Sequence, residues 1–394
     1  MGFIWYDMDM FNKRGNLMYQ VKGYFSSLKG SYYEIGKQQG EFVKQNPYLI
    51  PQFIHEENVI SNNHWTESRN ILNKHCPGIN EEIEGFCEVL KIPSKNMMYY
   101  YQTLLKAGCS HCAVLPKKTD LEHTYVLRNY DLSPVIDDMR FCSTHVEGAY
   151  AHSGFSTQYF GRTEGVNEHG LSVTFSACGQ PVGNIAGLRK PMVNGLQCFA
   201  VIRLLLEKCK NVQEAKSLIE EIPIASNINL IVADPLNAAH IEIFDGHKST
   251  TTIDGDNQAF IVSTNHAVSS SIQKLNNRKL EQSTKRYHVL HEHLNGYEQV
   301  SIESLKKLVE EEYPDGLTVH NYEEWFGTLH SVLFDLHDRT MKICFGSPLL
   351  NDWYSLKVGG SMPFSEVNVN FKNKTYTDLW SEDKNEMSPK RYMR

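Results

Sequence analysis

Beyond residue 109 the chain breaks into short apolar runs, each closed by a turn signal, and this texture limits the folds it can adopt. Residues 125–129, 140–146, 171–175, 230–233, 241–244, 260–263, 331–336 and 341–345 read as strands. Asp234-Pro235, Asp245-Gly246, Asp254-Gly255 and His337-Asp338 supply the turns, and short turns call for antiparallel neighbours. Helical spacing returns between these blocks. Residues 196–210 are apolar nearly all round and therefore buried, whereas Val212, Ala215, Leu218, Ile219 and Ile222 form a one-sided stripe. Residues 282–294 and 302–311 supply another helical pair. Strand blocks with helices grouped between them permit two stacked sheets under helices, an α+β arrangement.

Before residue 109 the pattern is mostly helical. Ile79, Ile83, Phe86 and Leu90 recur at helical spacing behind Pro77-Gly78, and Ile92-Pro93 stops them. A second helix is expected over 33–45, closed by Asn46-Pro47. Gly36 and Gly40 lie inside it, where each costs about 1 kcal/mol, and close helix packing is one reason to keep them.

The 394 residues suffice for two average domains, or for one large layered domain with a preceding segment. A net charge of −7 and the lack of a basic stripe argue against nucleic acid, leaving small molecules as the expected partners. Asp7, Asp9, Lys13, Arg14 and Lys22 interrupt any apolar run near the start, so neither a signal-peptide core nor a membrane span is expected. Nine scattered cysteines point to reduced thiols in a cytoplasm.

One stretch carries chemistry: Gly108-Cys109-Ser110-His111-Cys112, followed by Arg128-Asn129-Tyr130-Asp131. A guanidinium lowers a thiol's pKa, and a carboxylate can orient an amine. No His carries a diagnostic partner motif, so the base is missing. Cutting the chain at Gly108-Cys109 would make one, since a free α-amine titrates at about 7.7–8.0. Other readings stand beside this. Cys109 also fits a buried structural thiol, and Cys112, followed by Ala113-Val114-Leu115, fits core packing. Arg128 and Asp131 also fit an ordinary ion pair. Cys109, Cys112, Cys142 and His145 have the ligand types of a zinc site, and the first two have redox spacing. Against zinc, positions three apart on a strand face opposite sides. Against redox chemistry, no βαβ pattern surrounds the pair.

These motifs, with Gly165-Val166-Asn167-Glu168-His169-Gly170-Leu171, Ser263-Thr264-Asn265-His266 and an opening run from Gly30 to Gly40, resemble the isopenicillin-N acyltransferase family. That family belongs to the N-terminal-nucleophile hydrolases, and choloylglycine hydrolases resemble it more distantly. The resemblance implies a four-layer αββα sandwich of two antiparallel sheets. It implies a mainly helical propeptide over 1–108 and a catalytic domain over 109–394 with a polar C-terminal extension. It implies self-cleavage at Gly108-Cys109, Cys109 as nucleophile, Arg128 beside it, Asp131 binding its free amine and Asn265 donating to the oxyanion. The activity implied is hydrolysis of a non-peptide amide, or acyl transfer from a thioester or amide. The substrate is then a small acyl amide or acyl thioester, with no metal or cofactor, no membrane and room for a homo-oligomer.

Some positions depart from the pattern or carry no assigned chemistry. Ser176-Ala177-Cys178 stands where choloylglycine hydrolases carry a second Asn. No Arg occurs in Thr328-Leu329-His330-Ser331, where the acyltransferase has one nearby, and Arg339 reads as a turn residue. His266 reads as structural and Asn167 with Gly170 as a strand-entry turn, while Asn227 and Asn229 have no derivable role.

Overall fold

Ser31 starts the first helix of the computed structural model, which describes residues 18–55, 60–100, 108–184, 188–256, 258–377 and 379–383. The segment before Cys109 contributes strand β1 (Met18–Gly30) and helices α1 (Tyr32–Gln45), α2 (Ile50–Phe53), α3 (Asn62–His75) and α4 (Ile79–Leu90). Strands β2 (Ser110–Val114), β3 (Tyr125–Leu132), β4 (Arg140–Val146) and β5 (His152–Thr157) follow. Then β6 (Gly161–Arg162), β7 (Glu164–Asn167) and β8 (Ser172–Ala177) lead to helices α5 (Cys198–Lys208) and α6 (Val212–Glu221). Next are β9 (Ile228–Ala233), β10 (Ala238–Phe244), β11 (His247–Ile253) and β12 (Phe260–Ser263). Helices α7 (Ser270–Gln273), α8 (Glu281–Gly296) and α9 (Ile302–Val309) precede β13 (His320–Asn321), β14 (Phe326–Asp335), β15 (Thr340–Phe345), β16 (Trp353–Lys357) and β17 (Glu366–Lys372).

Local chemistry explains the helical pair at the start. Ser31 and Glu34 form a reciprocal capping box, with the Ser31 backbone N–H donating to Glu34 Oε2 at 2.8 Å. The glycines of α1 are there for contact with α4: a Cβ on Gly36 would lie 1.9 Å from the Glu82 carbonyl oxygen. Arg203 of α5 ties this pair to the rest of the fold, donating from Nη1 to Glu82 at 2.9 Å in a buried ion pair.

The strands form two sheets. One has ten strands in the order β11-β10-β9-β8-β7-β5-β4-β1-β17, with β6 beside β5. The other has seven, in the order β12-β2-β3-β14-β15-β16, with β13 beside β14. The two stack on each other through β2 and β12 against β8, β9 and β10. Helices α5 and α6 cover the first sheet, and α8 and α9 cover the second. The layers are therefore αββα. The main core cluster runs between the sheets and on under α4, α5 and α6, and a second cluster, with Leu127, Leu290 and Leu305, lies under α8 and α9.

Before Cys109, β1 spans 13 residues and lies inside the larger sheet, beside helices α1 to α4. The strand pairs of both sheets are antiparallel except that β1 runs parallel to β4. Among the described residues, no helix is long and apolar enough to cross a membrane.

Candidate active site

Cys109 precedes β2, at the end of the strand that pairs with β3, and is buried. Gly108 is required on its amino side: a Cβ there would stand 2.9 Å from the Asp131 carbonyl oxygen and 3.0 Å from the Phe326 ring. Alternation along β3 then brackets the thiol. Arg128 and Tyr130 face the other sheet, and Asn129 and Asp131 face the helices α8 and α9.

On the inner face, Arg128 Nη2 donates to Cys109 Sγ at 3.5 Å, and the Asp131 backbone N–H also reaches the sulfur. Burial pushes the thiol's pKa up, Arg128 pulls it down, and burial wins. Arg128 is itself held in a buried ion pair with Glu164 and by the Thr163 carbonyl. Its guanidinium lies 4.7 Å from the Tyr130 ring and 4.4 Å from that of Phe175. His330 Nε2 meets Glu164 Oε2 at 3.0 Å, with its ring stacked 3.7 Å from that of Phe155. Burial works to raise the Glu164 pKa, but His330 and Arg128 together hold it below the usual value.

On the outer face, Asp131 Oδ1 accepts from Asn129 Nδ2 and from Thr328 Oγ1, both at 2.7 Å. Asp131 Oδ2 is buried with no hydrogen-bond partner among the described residues, and lies 3.9 Å from Arg286 Nη1. Burial raises this carboxyl to about 7, against the pull of Arg286. The register of β14 against β3 shifts between Thr328 and His330. That bulge puts Thr328 opposite Asp131 and His330 opposite Tyr130, so two residues that plain alternation would set on one face serve opposite faces.

Arg286 of α8 is the main site residue that the sequence reading missed. Its Nη1 donates to the Gly108 carbonyl at 2.6 Å, the Cys109 carbonyl at 2.8 Å and Ser110 Oγ at 2.6 Å. Its Nη2 donates to Asn265 Oδ1 at 2.9 Å and to Gln282 Oε1. Its signal was present as a cation on the buried stripe Gln282, Arg286, Leu290 and Leu294. Glu164 was missed too, although it directly precedes the run Gly165-Val166-Asn167.

Asn265 follows β12. Its backbone N–H donates to Ser283 Oγ at 2.8 Å, and Nδ2 donates to the Ala177 carbonyl at 3.1 Å. Asn229 braces this turn by donating to the Thr264 carbonyl at 3.0 Å and the His266 carbonyl at 3.2 Å. His266 has its Nδ1 2.8 Å from Ser283 Oγ, and burial lowers its pKa to about 3. Asn167 accepts from the Leu171 backbone N–H and donates to the Leu206 and Cys209 carbonyls, which is turn work.

The zinc and redox alternatives fail on geometry. Cys109, Cys112 and Cys142 lie in three separate apolar clusters, and His145 is exposed. All nine cysteines are free and buried. Among the described residues, His123, Asp335 and Asp338 could offer ligand atoms to a cation, but His123 Nδ1 is already 2.9 Å from Asp335 Oδ2, and Asp335 Oδ1 accepts two backbone N–H groups of the hairpin turn.

Residues 117–350 match the family profile described as acyl-coenzyme A:6-aminopenicillanic acid acyl-transferase. A comparison with curated protein sequences gave no match. Among solved structures, the chain is similar to penicillin V acylase from Agrobacterium tumefaciens, with 15% identity and a TM-score of 0.42 over 63% of this chain and 86% of that one. It is similar to a Caenorhabditis elegans ortholog of N-acylethanolamine-hydrolyzing acid amidase, with 15% identity and a TM-score of 0.41 over 58% and 93%. A mutant of conjugated bile acid hydrolase from Clostridium perfringens gives 11% identity and a TM-score of 0.39 over 70% and 100%. The profile match covers more than half of the sequence, and the chain belongs to the acyl-coenzyme A:6-aminopenicillanic acid acyl-transferase family.

Proposed function

We propose that the protein is a self-processing cysteine amidohydrolase that cleaves a non-peptide amide through an acyl-enzyme on Cys109. The observation that carries this reading is Arg286 Nη1 held 2.6 Å from the Gly108 carbonyl oxygen, beside a thiol that Arg128 contacts at 3.5 Å. Cys109 Sγ attacks the Gly108 carbonyl carbon, and the oxygen gains charge against Arg286. The C–N bond breaks, the Cys109 nitrogen takes a proton, and water then splits the thioester into a Gly108 carboxylate and a free thiol. Asp131, with its pKa near 7 and one unpartnered oxygen, can accept the thiol proton and afterwards hold the new ammonium.

In turnover the new α-amine takes the thiol proton and passes it to the leaving nitrogen. One Nδ2 hydrogen of Asn265 is given to Ala177, which leaves the other for the substrate oxyanion. Intact mass with N-terminal sequencing tests the processing step: cleavage yields a fragment of 394 minus 108, or 286, residues starting at Cys109. A fully active chain that stays whole would sink the proposal.

Asn265→Ala is expected to keep the fold and lose roughly 10² to 10³ in kcat, the size seen for one oxyanion donor. Kinetics on a chromogenic acyl amide check it, and a raised KM with unchanged kcat would make Asn265 a binding residue.

Asp131 gives a pH test. Its folded pKa of about 7 lies above the ordinary carboxylate value of about 3.9. Its contribution to stability is therefore full below about pH 4 and is lost as pH rises through about 7. In an uncut Cys109→Ala chain, adding Asp131→Asn should flatten that part of the decline. Urea midpoints across the range measure it, and an unchanged slope would mean that Asp131 is ionised in the fold.

A further inference from the structure

His111 stands two residues from Cys109 and has no part in the chemistry proposed for that thiol. It occupies the middle of a row across the smaller sheet, paired with Arg128 of β3 on one side and with Ser263 of β12 on the other. Directly paired residues share a face, so His111 points with Arg128 toward the larger sheet. There its ring meets two hydroxyls of β8: Nδ1 is 2.7 Å from Thr174 Oγ1, and Nε2 is 3.1 Å from Ser176 Oγ. All three side chains are fully buried, where each polar atom needs a partner.

Counting protons fixes the direction of every bond in this group. The Thr264 carbonyl has none to give, so Ser176 Oγ, which meets it, donates its single hydrogen there. Ser176 is then an acceptor toward His111, and Nε2 carries the hydrogen between them. Burial, and after it the charge of Arg128, holds the His111 pKa well below its ordinary value, so the ring has no second N–H. Nδ1 is therefore bare and accepts from the Thr174 hydroxyl, whose other contact, with the Ile231 carbonyl, is longer at 3.4 Å. The line runs from Thr174 through His111 and Ser176 to the Thr264 carbonyl, whose second donor is Asn229 Nδ2 at 3.0 Å. The next residue is Asn265.

We infer that His111, as its Nε2–H tautomer, is a positioning residue that acts through Ser176 on the Thr264 carbonyl and so holds the Asn265 amide in place relative to the strand that follows Cys109. The inference rests on the reading of Asn265 as the oxyanion donor. Without a donor at Nε2, nothing on the β2 side directs the Ser176 hydrogen to Thr264, and the turn keeps Asn229 as its other brace. A shift of that turn moves the donor away from the developing charge, and a misplacement of about 1 Å costs up to roughly 10² in rate.

Nitrogen NMR of the full-length Cys109→Ala chain, labelled at its histidines, reads the tautomer without turnover and independently of what Asn265 does. The signal that disappears in His111→Gln should show a protonated Nε2 and a bare Nδ1 at neutral pH. A protonated Nδ1, or two protonated nitrogens, would overturn the inference. Kinetics on hexanoyl para-nitroanilide read the positioning. His111→Asn, whose amide reaches only the place of Nδ1, should lose roughly 10- to 100-fold in kcat with KM little changed. His111→Gln, whose amide nitrogen takes the place of Nε2, should recover most of that loss. In an Asn265→Ala background His111→Asn should cost nothing further, because the group it positions is gone. Ser176→Ala should match His111→Asn in both backgrounds, and it carries the test if the histidine variants fail to fold. A loss repeated in full in the Asn265→Ala background, or His111→Gln as impaired as His111→Asn, would overturn the positioning role while the oxyanion reading stands. An unchanged kcat in Asn265→Ala alone would instead remove the oxyanion reading, and the positioning role with it, whatever the tautomer.

Discussion

Cys109→Ala is expected to leave the chain whole at 394 residues and without detectable turnover, while its neighbour Cys112→Ala still processes and still turns over substrate. The two thiols are three residues apart but serve different environments. Cys109 is touched by Arg128 and by the Asp131 backbone N–H, and its own amide joins it to the carbonyl that Arg286 grips. Cys112 is packed among Leu127, Leu290 and Leu305, and burial pushes its thiol up to about 12. Removing the first sulfur removes the only atom placed to form the acyl bond in this proposal. Removing the second leaves a small gap, which costs on the order of 1 kcal/mol. Gel mobility, intact mass and a chromogenic amide read all of these outcomes. A Cys112→Ala protein that is folded but dead, beside an active Cys109→Ala, would reverse the assignment.

Glu164→Ala is expected to cost about 3–5 kcal/mol of stability, the range for breaking one side of a buried ion pair. Glu164 and Arg128 are both fully buried, and Glu164 also anchors His330. Without the carboxylate, Arg128 loses its buried ion-pair partner and its Nη1 keeps only the Thr163 carbonyl, so its approach to Cys109 Sγ is less firmly fixed. Processing should slow together with stability. A second variant separates the two effects: Arg128→Met with Glu164→Leu removes both charges, so stability should largely return while processing stays lost. Urea denaturation gives the first quantity and the yield of the 286-residue fragment, 394 minus 108, gives the second. A stable and processing-competent double variant would show that the pair does not act on the thiol.

The parts of this molecule that were legible in the sequence are those where one periodicity holds across a whole element. α4 shows its stripe because Ile79, Ile83 and Phe86 are all buried in one apolar cluster, and β9 and β10 are apolar because both of their faces are covered. Strands β5 and β7 escape such reading, since Ser153 and Glu164 are buried through polar contacts rather than through apolar alternation. In the candidate site, Cys109, Arg128 and Asp131 stand in two compact runs, and Asn265 in a third, and it was the resemblance of those runs to a family's motifs that singled them out as candidates. Arg286 was visible only as an oddity on an apolar helix face, because its partners Gly108 and Asn265 come from elsewhere in the chain. Thr328 and His330 were beyond reach for another reason. Alternation would put both on one side of β14, and the bulge between them overrules it.

The position of β1 bears on what a break after Gly108 would do to the molecule. Its first half, residues 18–24, pairs with β17 from the other end of the chain, and its second half, residues 24–30, pairs with β4. Among the described residues, β1 is therefore the only hydrogen-bonded link in the sheet between β17 and the remaining strands. Arg203 adds a buried clasp onto α4 from the other side of the same boundary. Two polypeptides made by such a break would share one ladder, so pulling them apart and melting the sheet would be a single event.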